Sequence, residues 1–513
     1  MFDGPSTAHS TKLTRALQYV ERVGNRLPDP ATLFVGIGVL VLLCSWIGST
    51  LHWSVTDPRD ASKQILVDNL LDADSVRWMF TSALKNFLDF PPLAIVLVAM
   101  LGIGVAERTG LFPALLKLLV RLTPARFITP VIIFIGVNSS AAADSGYVVL
   151  PPLAAGVFAI IGRSPLVGIA AAVFGIAAGF SANIAITSLD PLLSGLTEQA
   201  AQTIDPTAVV APTANYAFMF ASTFFLTALG WFVTAKFVEP RFSAERIAAQ
   251  IAQGGILESH ANLSAGERRG LLAALVAFVV VGSALLSMAL IEGGPLTGVV
   301  TRHATNTLVP AWSEALVPII FVMFLVPGVA YGVAVGEIRS DRAVTERMGQ
   351  SISSMGTYIV IAFFAGQAIA WFRQSNLSVV MSVEGAEIIR SMGLGQSVMI
   401  VAIIWGVAVL DLFLSSASAK WTFLAPVLVP MLATAGMQPD LVQAAYRVGD
   451  SCVNPIAPLN AYLVIILVVI RRYDKSAGLG TLFALLAPYS LAALVAWSAL
   501  LVAWNALGIP LAF

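Results

Sequence analysis

From Leu271 to Ile291 the chain runs without one charged residue, and that length limits what it can fold into more than any other feature. A helix rises about 1.5 Å per residue, so about 20 apolar residues cross a hydrocarbon layer about 30 Å thick. The rest of the chain agrees: 58% of its 513 residues are hydrophobic and only 11% are charged, against about a quarter charged in soluble proteins. Mean hydropathy is +0.85. No stretch reads as repeated short alternating strands, which disfavours a β-barrel. The expected fold class is an all-α polytopic membrane protein seated in the lipid bilayer. Net charge is zero and no basic domain stands apart, so nucleic acid is not an expected partner.

Nine segments look able to cross: about 32–52, 90–107, 165–195, 212–237, 270–291, 314–336, 354–373, 443–470 and 480–507. The tail before them carries Lys12, Arg15, Arg22 and Arg26 without a small-residue cleavage site, so the first span reads as retained. Basic residues crowd three loops, around Lys236 to Arg269, Arg339 to Arg347 and Arg471 to Lys475, while 197–211 has no Lys or Arg. Counting spans from a cytoplasmic N-terminus puts all three basic loops inside.

Two apolar regions remain, 127–161 and 396–435, each interrupted by small polar residues: Asn138, Ser139 and Ser140 in the first, Ser415, Ser416 and Ser418 in the second. Each is too long for one crossing and short for two, so each reads as a re-entrant helical hairpin with its tip wrapped in protein. The two regions also match. Ser139-Ser140-Ala141 aligns with Ser415-Ser416-Ala417, and the run from Gly179 to Leu193 shares five of fifteen positions with Gly449 to Leu463. By the loop charges the hairpins open to opposite sides, giving an inverted internal repeat, an arrangement secondary transporters use to place binding sites at the midplane.

The chain then divides into a cytoplasmic N-terminal segment (1–31), N-terminal scaffold or dimerisation helices (32–110) and a first repeat with its hairpin (111–237). A cytoplasmic loop (238–269), scaffold helices (270–350), a second repeat with its hairpin (351–475) and a C-terminal helix (476–513) complete it.

Charges at membrane depth are costly, which singles out Asp144, Asp190, Lys420, Arg447 and Asp450. Arg447 and Asp450, three residues apart, could neutralise each other on one helix face. Asp144 and Lys420 hold corresponding repeat positions, which would suit a bridge from hairpin to scaffold, and snorkelling is an equally ordinary use of Lys420. Where a helix breaks at a tip, freed carbonyls can coordinate Na+ and helix N-termini can receive a carboxylate; small serines there can also serve close packing alone. Trp421, one turn after Ser418, could stack on a planar substrate or anchor at the interface. Pro439, Pro455 and Pro458 bracket the second broken region. Cys44 and Cys452 stand far apart and the four histidines do not cluster, so no disulfide, metal site or cofactor is expected. A channel would need no inverted hairpins, and an enzyme would need a nucleophile–base pair that the spans lack.

The motifs Gly179-Phe-Ser-Ala-Asn183, Leu189-Asp190-Pro191, Tyr147 to Pro152, Ser415 to Trp421, and Tyr446 to Pro458 with Asn454 resemble the AbgT family of p-aminobenzoyl-glutamate transporters. The resemblance extends to Val20–Asn25, before the first span. It implies a homodimer in the bacterial inner membrane, with nine spans and two hairpins per subunit and a basin open to the cytoplasm. It also implies Na+- or H+-coupled movement of p-aminobenzoyl-glutamate or export of sulfonamide antimetabolites. By motif, Asp190, Ser418, Trp421, Arg447, Asp450 and Pro458 would line the substrate path. Asn138, Ser139, Ser140, Asp144, Asn183, Ser415, Ser416 and Asn454 are candidates for ion-binding or hairpin-tip roles. Ala141 to Ala143 stand between Ser140 and Asp144, a departure from members with serines directly before that Asp.

Overall fold

The computed structural model describes residues 30–512 apart from 58–59, 143–144, 255–262, 303–306, 415, 459 and 461. The N-terminal tail, Asp144 and Ser415 therefore lie outside the described residues. Among the described residues, seven helices are long and apolar enough to cross a membrane. They fall on seven of the nine expected spans: α1 (Pro30–Thr50), α2 (Ala73–Leu88) running into α3 (Pro91–Arg108), α9 (Tyr216–Val233), α11 (Ala265–Leu290), α12 (Leu316–Val335), α14 (Gly356–Gln374) and α20 (Leu479–Ala506). Two short antiparallel ribbons, β1 (Ser54–Asp57) with β2 (Asp60–Leu66) and β3 (Val299–Arg302) with β4 (Thr307–Pro310), lie in the connections.

The other two expected spans are not continuous. The first splits into α7 (Pro165–Ala178) and α8 (Leu189–Ala201), the second into α18 (Pro439–Cys452) and α19 (Tyr462–Tyr473). Neither break contains a charge, so hydropathy alone reads straight through both. The second break carries Pro455 and Pro458, which withhold backbone donors.

Both hairpins are present as helix pairs: α5 (Ile128–Asn138) with α6 (Ser145–Ile160), and α16 (Gln396–Asp411) with α17 (Ala417–Thr434). Each is entered through a lead-in helix that hydropathy did not separate, α4 (Leu111–Arg121) or α15 (Leu377–Ser391), and each entry bends by 119°. The element order α4 to α9 thus recurs as α15 to α20. The remaining connecting helices are α10 (Ala244–Gly254) and α13 (Asp341–Ser354).

In each half, both hairpin arms pack against the first part of the broken span, α5 and α6 on α7 and α16 and α17 on α18. All of α7 is buried, and so is α18 from Leu441 onward. Close approach requires the absence of a side chain. A Cβ on Gly179 would lie 2.6 Å from Val137, and one on the corresponding Gly449 would lie 2.4 Å from the Ile404 carbonyl oxygen. The halves then interlock, because α8 lies against α3, α17 and α18. By contrast α11 leaves Leu272, Leu275 and Val280 exposed, as a helix facing lipid does.

Candidate functional site

Polar side chains on a buried helix must find partners within the protein, since an unpaired buried charge is strongly disfavoured. On α18 they find them in the opposite half and in the second hairpin. Arg447, 1% exposed, donates to Asp190 Oδ1 at 2.7 Å and to the Ser181 carbonyl at 2.9 Å. Asp190 is itself oriented by its own turn, its Oδ2 accepting from the Thr187 amide at 2.7 Å and hydroxyl at 2.9 Å. This ion pair joins the two broken spans.

Asp450 takes a different partner. Its Oδ1 lies 2.7 Å from Lys420 Nζ, which also donates to Asp411 at the end of α16. Arg447 and Asp450 therefore do not neutralise each other, and Lys420 does not snorkel: it is 2% exposed, between two carboxylates. Tyr446 closes the cluster, donating to the Ala417 carbonyl and standing 3.2 Å from Asp450 Oδ1.

Trp421 is fully buried rather than interfacial. Its ring stacks on Tyr446 with centroids 4.3 Å apart, and its Nε1 donates to Thr197 at 3.0 Å. From there polar contacts link α8 to the start of α18: Thr197 to Gln443 at 2.6 Å, Gln443 to Asn215 at 2.9 Å, and Asn215 back to the Asp440 carbonyl at 2.8 Å.

Among the described residues of the first hairpin tip, the contacts are made by neutral groups. Asn138 accepts from the Ile184 amide at 3.0 Å, and Ser140 donates to Asn183 at 2.6 Å. Both contacts tie the tip to the break between α7 and α8. Ser139 turns back to the Gly136 carbonyl at 2.6 Å. On the other side, Asn454 donates to the Ala177 carbonyl at 3.4 Å, tying the second break to α7. Pro458 is half-buried just before the start of α19. The amide nitrogen of Asn183 and the hydroxyls of Ser181 and Ser451 are buried without hydrogen-bond partners.

Between the two tips lies a cavity of about 650 Å³. Ser140 from the first tip, Ser416 and Ser418 from the second, and Thr187, Ser188 and Leu189 from the first break line it, with Glu107, Arg108 and Tyr358 on the scaffold side. The starts of α8 and of α17 are thus both on its wall. Helix N-termini carry partial positive charge and attract an anion at those two ends, while Asp190 in the first turn of α8 and Glu107 on the scaffold side add negative charge. Arg447 and Trp421 are not among the lining residues; they sit behind it, engaged by Asp190 and by Thr197.

Among the residues of these clusters and the cavity that sequence reasoning did not single out are Asp411, Gln443, Asn215, Thr197, Arg108, Thr187, Ser188 and Tyr358. Asp411 carried a signal, a lone carboxylate closing an apolar run nine residues before a lone Lys. Gln443 and Asn215 carried none, because uncharged polar residues are common in membrane helices.

The AbgT transporter family matches residues 15–513. The p-aminobenzoyl-glutamate transport protein of Escherichia coli (strain K12) is 33% identical over 508 residues, covering 99% of this chain and 97% of that one. Among solved structures, the Alcanivorax borkumensis YdaH transporter superposes with a TM-score of 0.87 at 38% identity, covering 95% of this chain and 100% of that one. Neisseria gonorrhoeae MtrF, of a class of antimetabolite efflux pumps, gives 0.87 at 39% identity, covering 95% and 97%. With the hairpins, the broken spans and the cavity between them, these matches carry one conclusion: the chain belongs to the AbgT family of membrane transporters.

Proposed function

We propose that this transporter is an ion-coupled carrier of p-aminobenzoyl-glutamate or a related aromatic carboxylate across the bacterial inner membrane. It works as a homodimer with its N-terminus in the cytoplasm, in the orientation the basic loops favour. The observation that carries the reading is the cavity between the tips, with the starts of α8 and α17 on its wall. Its volume of about 650 Å³ suits a molecule of that size, and two helix N-termini suit its carboxylates. Arg108, exposed at the cavity edge with one guanidinium nitrogen donating to the Gln350 carbonyl at 3.1 Å, offers its remaining N–H groups to one of them. Arg447 becomes a second partner when the substrate displaces Asp190. The E. coli relative, named for the same substrate, supports the assignment. The likeness to MtrF supports a second reading, proton-driven efflux of sulfonamide antimetabolites.

The test is radiolabelled p-aminobenzoyl-glutamate and a sulfonamide in proteoliposomes, with Na+ and H+ gradients imposed in each direction. Saturable counterflow of the acid is the expected result; transport of the sulfonamide alone selects the second reading. Arg108→Ala should weaken binding of the acid about tenfold or more, the scale of one charge-assisted hydrogen bond. Unchanged affinity would remove Arg108 from the site.

A further inference from the structure

Lys420 Nζ sits between Asp411 and Asp450, all three at most 2% exposed, where the two arms of the second hairpin meet α18. Two carboxylates from different helices converging on one positive charge is the ligand arrangement of a monovalent cation site, with the cation supplied by the chain. We propose that the Lys420 ammonium is a tethered substitute for a coupling Na+: it fills the position such an ion would take, so transport proceeds without Na+ and the cluster exchanges a proton instead.

Charge and space both argue this way. A Na+ bound here would have to sit beside the ammonium, and like charges repel strongly where water is excluded. Two carboxylates against one ammonium leave one negative charge over. Asp411 Oδ2 is buried with no hydrogen-bond partner, and a proton added there neutralises the surplus without needing a metal's coordination shell. The groups facing this position are Asp411 on α16, Lys420 on α17, and Tyr446, Asp450 and Cys452 on α18. On the other helices packed against them, Asp190 of α8 is engaged by Arg447 and Tyr489 of α20 by Thr234. One proton enters on Asp411 from one side of the membrane and leaves to the other, with Lys420 charged throughout.

The inference rests on reading the chain as an ion-coupled carrier, but its first test needs no substrate. Full-length protein in detergent is melted in NaCl and in choline chloride at equal ionic strength and fixed pH. The wild type should melt at the same temperature in both. Asp411→Asn combined with Lys420→Gln removes one charge of each sign and opens the position. Na+ should then raise the melting temperature by about 3 °C or more, as a saturating ligand does. Lys420→Gln alone, leaving two facing carboxylates, should respond in the same direction. A wild type stabilised by Na+ overturns the proposal, as does a folded double variant indifferent to it; the wild-type comparison stands whether or not the variants fold. In Na+-free liposomes an imposed pH difference should drive accumulation in the wild type, and failure there despite normal counterflow overturns the proton half. Loss of counterflow itself would count against the substrate assignment.

Discussion

Arg447 and Asp450 stand one turn apart on a buried helix, and each reaches for a charge elsewhere in the chain, Asp190 for one and Lys420 for the other. Their spacing made mutual neutralisation the simplest reading of the sequence, because an i, i+3 pair needs nothing from the rest of the fold. Which way each side chain turns depends on what packs against α18, and that is tertiary information. The consequence can be measured. Asp190→Ala leaves the Arg447 guanidinium buried without its counter-ion and should cost about 3–5 kcal/mol in stability. Adding Arg447→Leu should recover much of that loss, a coupling readable from melting of the single and double variants. Trp421→Phe should retain the stack on Tyr446 but lose the Nε1 bond to Thr197. A cost of about 1 kcal/mol is expected, together with slower counterflow if the polar contacts through Gln443 hold the breaks in register. The place of Trp421 after Ser418 suggested a ring facing substrate or the interface; its burial against Tyr446 and Thr197, off the cavity lining, left no local trace.

At the level of elements the hairpins were the legible part. Small polar residues in the middle of an apolar run leave a local trace, and the two helix pairs turn around Asn138 to Ser140 and just before Ser416 to Ser418. The breaks in the two long spans left a weaker one, since glycine, serine and proline are ordinary in membrane helices. The lead-in helices α4 and α15 merge with their hairpins in hydropathy, and only the bend separates them. Packing supplies the check at this scale. Gly449→Ala puts a methyl group 2.4 Å from the Ile404 carbonyl oxygen, so α18 must move off α16 at a cost of about 1–3 kcal/mol. Gly406→Ala, on the same α16 but with open space around its Cβ position, should leave the melting temperature unchanged. Equal losses in the two variants would mean that the close approach does not constrain the hairpin.

For the whole molecule, the cavity is where both halves meet, and its lining draws on residues from Val96 to Ser418. No local pattern in the sequence could bring Arg108 and Tyr358 to the same wall as Ser140. A cysteine scan reads this arrangement directly. In a background with Cys44 and Cys452 replaced, Ser140→Cys and Ser418→Cys should both react with a small water-soluble thiol reagent. The bound acid should slow both reactions at least severalfold. Protection of only one tip would mean that substrate does not span the two halves.

The tips differ in how they are fastened. Among the described residues the first has two contacts between neutral groups, Asn138 with Ile184 and Ser140 with Asn183, each worth about 0.5–1.5 kcal/mol net and replaceable by water. The second is pinned by three buried charges, which separate only at a cost of several kcal/mol unless a proton removes one of them. On the proposal that a proton neutralises this cluster, two hairpins built by repetition would come loose at unequal cost.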